Sequence, residues 1–150
     1  MINLSVIVPF FNEEQFLDES VNRLLSNDIY TSIYLIDNNS TDNSYEIAKN
    51  LAGNNEKIEL FKTGKNKGKG SVLAYSKNLI TTSHVVIHDA DLEYFPEDII
   101  EMFELAKQNQ KSLILGSRFI GSKKRENIYL RTFLANRVMS LFFSLVNSYK

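Results

Sequence analysis

Asp89 and Asp91 stand one residue apart directly after the apolar run His84-Val85-Val86-Ile87-His88. Alternate side chains of an extended chain point the same way, so the two carboxylates can face one cation. Like charges that close are intolerable inside a strand, whereas a Mg²⁺ or Mn²⁺ ion carrying a diphosphate turns their repulsion into binding. A solvated turn is the competing reading of Asp89-Ala90-Asp91 taken by itself.

The elements that must position these acids come from periodicity. Leu4 to Val8, Ser32 to Ile36, Ile58 to Phe61, His84 to Ile87 and Ser112 to Leu115 are short β-branched runs that predict strands. Between them Glu13 to Leu25, Asp42 to Leu51, Ser71 to Ile80 and Pro96 to Lys107 carry apolar residues at helical spacing. Ser40-Thr41-Asp42 and Pro96-Glu97-Asp98 suit helix starts, with cap residues or a first-turn proline beside acids. Alternating strands and helices predict a mainly parallel sheet covered on both faces.

Ligands of such sheets bind beyond the carboxyl ends of the strands. Those ends carry Pro9-Phe10-Phe11-Asn12-Glu13-Glu14, Asp37-Asn38-Asn39-Ser40-Thr41-Asp42, Gly64 to Ser71, Asp89 to Glu93 and Gly116-Ser117-Arg118-Phe119. The Gly64 to Ser71 stretch is not a Walker A loop, since Gly64 lies too close to Gly68-Lys69 and Gly70 follows Lys69. It reads either as a flexible basic loop or as a phosphate site at a helix start. Asp37 reads equally as a turn former, and Glu13 and Glu14 as first-turn acids of a helix. His84 and His88 flank a strand and are expected to pack there instead of ligating metal.

Composition sets the bounds. A chain of 150 residues with 43% hydrophobic content can bury one core, so one domain over 1–150 is expected. The first apolar stretch, Leu4 to Val8, lacks a basic leader and reads as a strand. No run approaches the ~20 apolar residues that span a bilayer. Cysteine is absent, which excludes disulfides and thiolate metal sites and fits a cytoplasmic location. A net charge of -1 excludes bulk attraction to nucleic acid, although Lys62, Lys65, Lys67 and Lys69, then Arg118, Lys123, Lys124, Arg125 and Arg131, cluster locally.

Val8-Pro9-Phe10-Phe11-Asn12-Glu13, Ile36 to Asp42, Asn66-Lys67-Gly68-Lys69-Gly70, Asp89-Ala90-Asp91 and Gly116-Ser117-Arg118-Phe119, in that order, resemble a family 2 glycosyltransferase of the GT-A fold. The pattern is most similar to the dolichol-phosphate mannose synthase and polyprenyl-phosphate glycosyltransferase group, and it covers essentially the whole chain. The resemblance implies a three-layer α/β sandwich that binds a nucleotide-diphosphate sugar with a divalent metal and transfers the sugar with inversion. Pro9, Phe11 and Glu13 then match the nucleoside pocket, Asp37 the acid that meets the base, and Lys67, Gly68 and Lys69 the loop near the nucleotide. Asp89 and Asp91 match the metal motif, Asp89 shared with the ribose, with Glu93 completing the metal shell. Arg118 matches a phosphate-handling residue. Arg131, with Asn136 and Arg137, matches the group that approaches an acceptor phosphate. Asn38 stands where a second acid is common, which bears on nucleotide preference.

Leu130 to Leu145 place apolar residues at helical spacing behind the basic cluster. That pattern suits either packing on the domain or peripheral association with an anionic membrane. The chain ends at Lys150 without the acceptor-side segment usual in the resembled family, so a C-terminally truncated domain is expected. Apart from Glu97-Asp98, read above as a helix start, no Glu-Asp segment of the kind that supplies a general base in the resembled family follows the metal motif. A polyprenyl phosphate acceptor needs none, because its second pKa of about 6 leaves it ionised. Transfer to a glycan hydroxyl is the alternative. From another class, a phospho-receiver signalling domain also places acids at strand ends.

Overall fold

The computed structural model describes residues 2–109, 112–116, 135, 137–142 and 144. The chain packs as two units, Met1–Gly116 and Ser117–Lys150. In the first, strands β1 (Leu4–Phe10), β2 (Tyr30–Asp37), β3 (Ile58–Lys62) and β4 (His84–Ile87) alternate with helices α1 (Leu17–Leu25), α2 (Ser44–Asn54), α3 (Lys69–Ser76) and α4 (Pro96–Gln108). All pairings are parallel, and the sheet order is β3-β2-β1-β4.

The strand alternation sorts the core into two layers. Val6, Val8, Ile33 and Leu35 face one side, where Leu17, Val21 and Leu24 of α1, Ala48 of α2 and Ile99 of α4 cover them. Ile7, Tyr34 and Ile36 face the other side and meet Val72 of α3, with Leu79 and Ile80 behind it. β1 and β2 are therefore apolar on both faces, as central strands of a parallel sheet must be. Each fully buried Leu, Ile or Val stabilises the fold by roughly 1.5–3 kcal/mol.

Three expectations shift. The helix expected from Glu13 begins at Leu17, because the Glu13 and Glu14 amides donate to Ser44 Oγ (2.8 Å) and Asp42 Oδ2 (3.2 Å) in a loop where Asn12 has a φ of 57°. The helix expected over Ser71 to Ile80 runs instead from Lys69 to Ser76. Ser112–Leu115 is not a strand: Leu113 and Leu115 are 82% and 77% exposed, and the Ser112 amide folds back to the Asn109 carbonyl at 3.2 Å. A short apolar run makes a strand only when a neighbouring edge takes up the backbone groups, and among the described residues none does so here.

In the second unit residues 137–142 are helical, and Val138, Met139, Leu141 and Phe142 are exposed. Among the described residues no helix is long and apolar enough to cross a membrane.

Candidate active site

The sheet order reverses at β1. The chain leaves β1 for β2 and β3 on one side and returns through α3 to β4 on the other, so the loops beyond β1 and β4 diverge and leave a crevice. A cleft of about 340 Å³ lies there, lined by Pro9, Phe10, Phe11, Glu13, Asn38, Asn66, Gly68, Lys69, Val72, Asp89, Ala90 and Asp91.

One wall is built from the ends of β1 and β2. Asn12 N donates to Ser40 Oγ (3.1 Å), Thr41 N to Asn12 Oδ1 (2.8 Å), and Asn43 N to Glu14 Oε2 (3.0 Å). The two loops thus supply one another's hydrogen bonds, and asparagines take the left-handed turns at Asn12 and Asn39, which that side chain tolerates. Asp37 closes β2 fully buried. Its Oδ1 accepts from Ser40 N at 2.8 Å, and its Oδ2 lies 3.1 Å from Lys62 Nζ at an angle outside hydrogen-bond geometry. That oxygen has a compensating charge but no donor. Lys62 itself sits over the Tyr45 ring at 4.5 Å.

The opposite wall is built from the loop before α3 and the turn after β4. Asn66 Oδ1 accepts from both Asn38 Nδ2 (2.9 Å) and Gly68 N (3.0 Å), tying the basic loop to the end of β2. Gly68, at φ 82°, makes the left-handed step that starts α3. Lys69 Nζ donates to Asp89 Oδ1. Past Asp91 the chain turns sharply at Leu92, whose φ of 61° is a strained conformation for a leucine, and Glu93 N donates to Asp91 Oδ1 at 3.1 Å.

The electrostatics follow. Burial, then the carboxylates of Asp91, Asp42 and Asp89, push the Glu13 carboxyl above its usual range. Burial holds His88 below the ordinary histidine value against the opposing pull of Asp89 and Asp91. His88 packs against Tyr94 and His84 against Phe103, with centroids 6.1 and 5.5 Å apart. Among the described residues no three or more Asp, Glu, His or Cys side chains gather as a metal cage. Two carboxylates in an open cleft instead fit a cation that takes its remaining ligands from phosphate oxygens and water, as Mg²⁺ does.

Of the residues singled out in the sequence, Pro9, Phe11, Glu13, Gly68, Lys69, Asp89 and Asp91 line this one cleft. Asp37 lies behind it beside Asn38. Lys67 and Glu93 are exposed and outside the lining. Arg118 and Arg131, like Lys123, Lys124, Arg125 and Asn136, lie outside the described residues. Sequence reasoning missed the Asn38–Asn66 amide clasp and the Lys62 pairing with Asp37. An asparagine two residues before a glycine was the available signal for the first.

The chain is 28% identical to a UDP-N-acetylglucosamine–dolichyl-phosphate N-acetylglucosaminyltransferase of Methanococcus voltae, over 96% of this chain and 63% of that protein. It is 29% identical to a dolichol-phosphate mannosyltransferase of Pyrococcus furiosus over 84% of this chain and 36% of that protein, so it spans only part of these curated relatives. A mannosyltransferase from Pyrobaculum calidifontis, solved in complex with GDP-Man and Mn²⁺, superposes with a TM-score of 0.56 at 26% identity over 59% of this chain and 27% of that one. The architecture is that of the GT-A fold. Residues 5–148 match the glycosyl transferase family 2 model, which removes the phospho-receiver alternative, and the chain belongs to that family.

Proposed function

We propose that the cleft binds a nucleoside-diphosphate sugar together with Mg²⁺ or Mn²⁺, and that the sugar passes with inversion to a polyprenyl phosphate. The observation that carries this reading is the meeting of Glu13, Lys69, Asp89 and Asp91 on one cleft at the sheet's switch point. The nucleoside side falls to Pro9, Phe11 and Glu13, with Asp37, by motif, the acid that meets the base. Asp89 and Asp91 hold the cation, and the Glu93 amide steadies Asp91. A cation bound there supplies Lewis acidity to the leaving diphosphate. Lys67 and Lys69, and by motif Arg118, meet phosphate oxygens, while Arg131 approaches the acceptor.

An acceptor phosphate oxygen attacks the anomeric carbon from the side opposite the diphosphate. One C–O bond forms, the bond to the diphosphate breaks, and the configuration inverts. The attacking oxygen is already ionised near neutral pH, so the cleft needs no general base. Relatives named for dolichyl phosphate support this acceptor. The exposed Val138, Met139, Leu141 and Phe142, near the basic cluster in sequence, support peripheral binding to a membrane surface, for which the cytoplasmic face is our proposal.

A transfer assay compares a short polyprenyl phosphate with a soluble glycan as acceptors, with product anomer read by NMR and vesicle flotation run alongside. Inverted product on the lipid phosphate, with binding to anionic vesicles, is expected. Transfer to the glycan hydroxyl alone, without vesicle affinity, rejects the acceptor assignment.

A further inference from the structure

Lys69 occupies a place that its charge does not favour. It is the first residue of α3, where the helix dipole is positive, and that helix has no acid in its first turn to compensate. What holds the ammonium there is Asp89, whose Oδ1 accepts from Lys69 Nζ. The carboxylate is only 24% exposed and the lysine 52%, and both line the cleft.

The backbone beneath Lys69 is independently anchored. Asn66 Oδ1 holds Gly68 N at 3.0 Å, and Ser71 Oγ donates to Gly68 O at 2.8 Å. The long side chain can therefore leave Asp89 while the loop stays in place. An anion in the cleft would suit the start of α3 better than the ammonium does, and would give that ammonium a partner of the right sign.

Resting on the metal and nucleotide reading above, we infer that Lys69 is a stand-in cation for Asp89 that couples metal binding to diphosphate binding. Without nucleotide, an incoming divalent ion must displace the ammonium and then remain beside it, so the bare ion binds weakly. When the ion arrives with a diphosphate, Lys69 transfers from Asp89 to the phosphate oxygens and the repulsion is removed. Each ligand thereby raises the affinity for the other by the same factor. The cleft discriminates in this way against a lone divalent cation.

The test is titration of Mn²⁺, read from the free-ion EPR signal, into the wild type, Lys69→Ala and Lys69→Arg, first without nucleotide and then with saturating UDP or GDP. Lys69→Ala is expected to bind bare Mn²⁺ about tenfold more tightly than the wild type at low salt, a gap that narrows in high salt. Its gain in Mn²⁺ affinity on adding the diphosphate should shrink by a similar factor, and Lys69→Arg should behave as the wild type. Bare Mn²⁺ affinity in Lys69→Ala equal to or below the wild-type value overturns the inference while leaving the metal site standing. Absence of Mn²⁺ binding in all three proteins even with diphosphate overturns the metal reading, and this inference with it.

Discussion

The wall made by residues 12–14 and 40–44 meets its polar needs internally, whereas the wall made by residues 64–70 and 89–91 presents charge to the solvent. In the first, backbone amides and side-chain oxygens of two loops pair across short distances such as Glu13 N to Ser44 Oγ at 2.8 Å. In the second, Lys65, Lys67 and Lys69 are exposed and the amide clasp of Asn38 and Asn66 secures the backbone. The difference suits the two tasks of the proposed function. A nucleoside is a rigid shape best read by a preorganised surface, while a diphosphate and its cation bring charges that must be compensated as they arrive.

Breaking the first wall should cost the fold most. Asp37→Ala removes the acceptor of Ser40 N and the partner of Lys62, and is expected to lower unfolding free energy by about 2–3 kcal/mol in urea titration. It should also weaken nucleoside diphosphate binding by about 1–3 kcal/mol while sparing ribose 5-diphosphate, which lacks the base. Equal losses for both ligands would mean that Asp37 serves structure alone.

A smaller effect separates the walls by pH. Burial pushes the Asp42 carboxyl up, but hydrogen bonds from Ser44 Oγ, Ser44 N, Glu14 N and its own amide outweigh it and hold the group below the usual aspartate range. With the folded value depressed, the stabilisation is complete above the unfolded pKa of about 3.9 and is lost as pH falls through the lower folded value. Asp42→Ala should cost about 1 kcal/mol at neutral pH and flatten that acid limb in thermal melts. A variant that keeps the wild-type acid profile would place the effect elsewhere.

The smallest change in stability is expected on the charged wall. Asn66→Ala, which unties Gly68 from Asn38, should lower global stability by no more than about 0.5 kcal/mol, since an exposed loop opens locally without the core. Protease nicking between 64 and 68 should nevertheless accelerate several-fold. Unchanged nicking would show that the clasp does not hold the loop.

Much of this arrangement is legible in the residues. Short β-branched apolar runs such as Ser32 to Ile36 find β2, and the helical spacing of Leu17, Val21 and Leu24 finds α1, because both signals are local and survive burial. The acids and glycines after each strand indicate the cleft because the parallel topology brings strand ends together. Ser112 to Leu115 misleads because a strand also depends on a partner edge that sequence does not contain. The start of α1 is missed because Ser44 and Asp42, distant in sequence, claim the Glu13 and Glu14 amides. The pairing of Lys62 with Asp37 is likewise a contact across neighbouring strands that depends on their register.

Calorimetric titration of a nucleoside and its diphosphate, each with and without Mn²⁺, into the wild type and Asp91→Ala tests the division of labour most directly. The wild type should gain affinity from Mn²⁺ for the diphosphate alone. Asp91→Ala should lose that gain and keep its affinity for the nucleoside. Undiminished Mn²⁺-dependent affinity for the diphosphate in Asp91→Ala would contradict the assignment of the cation to the charged wall.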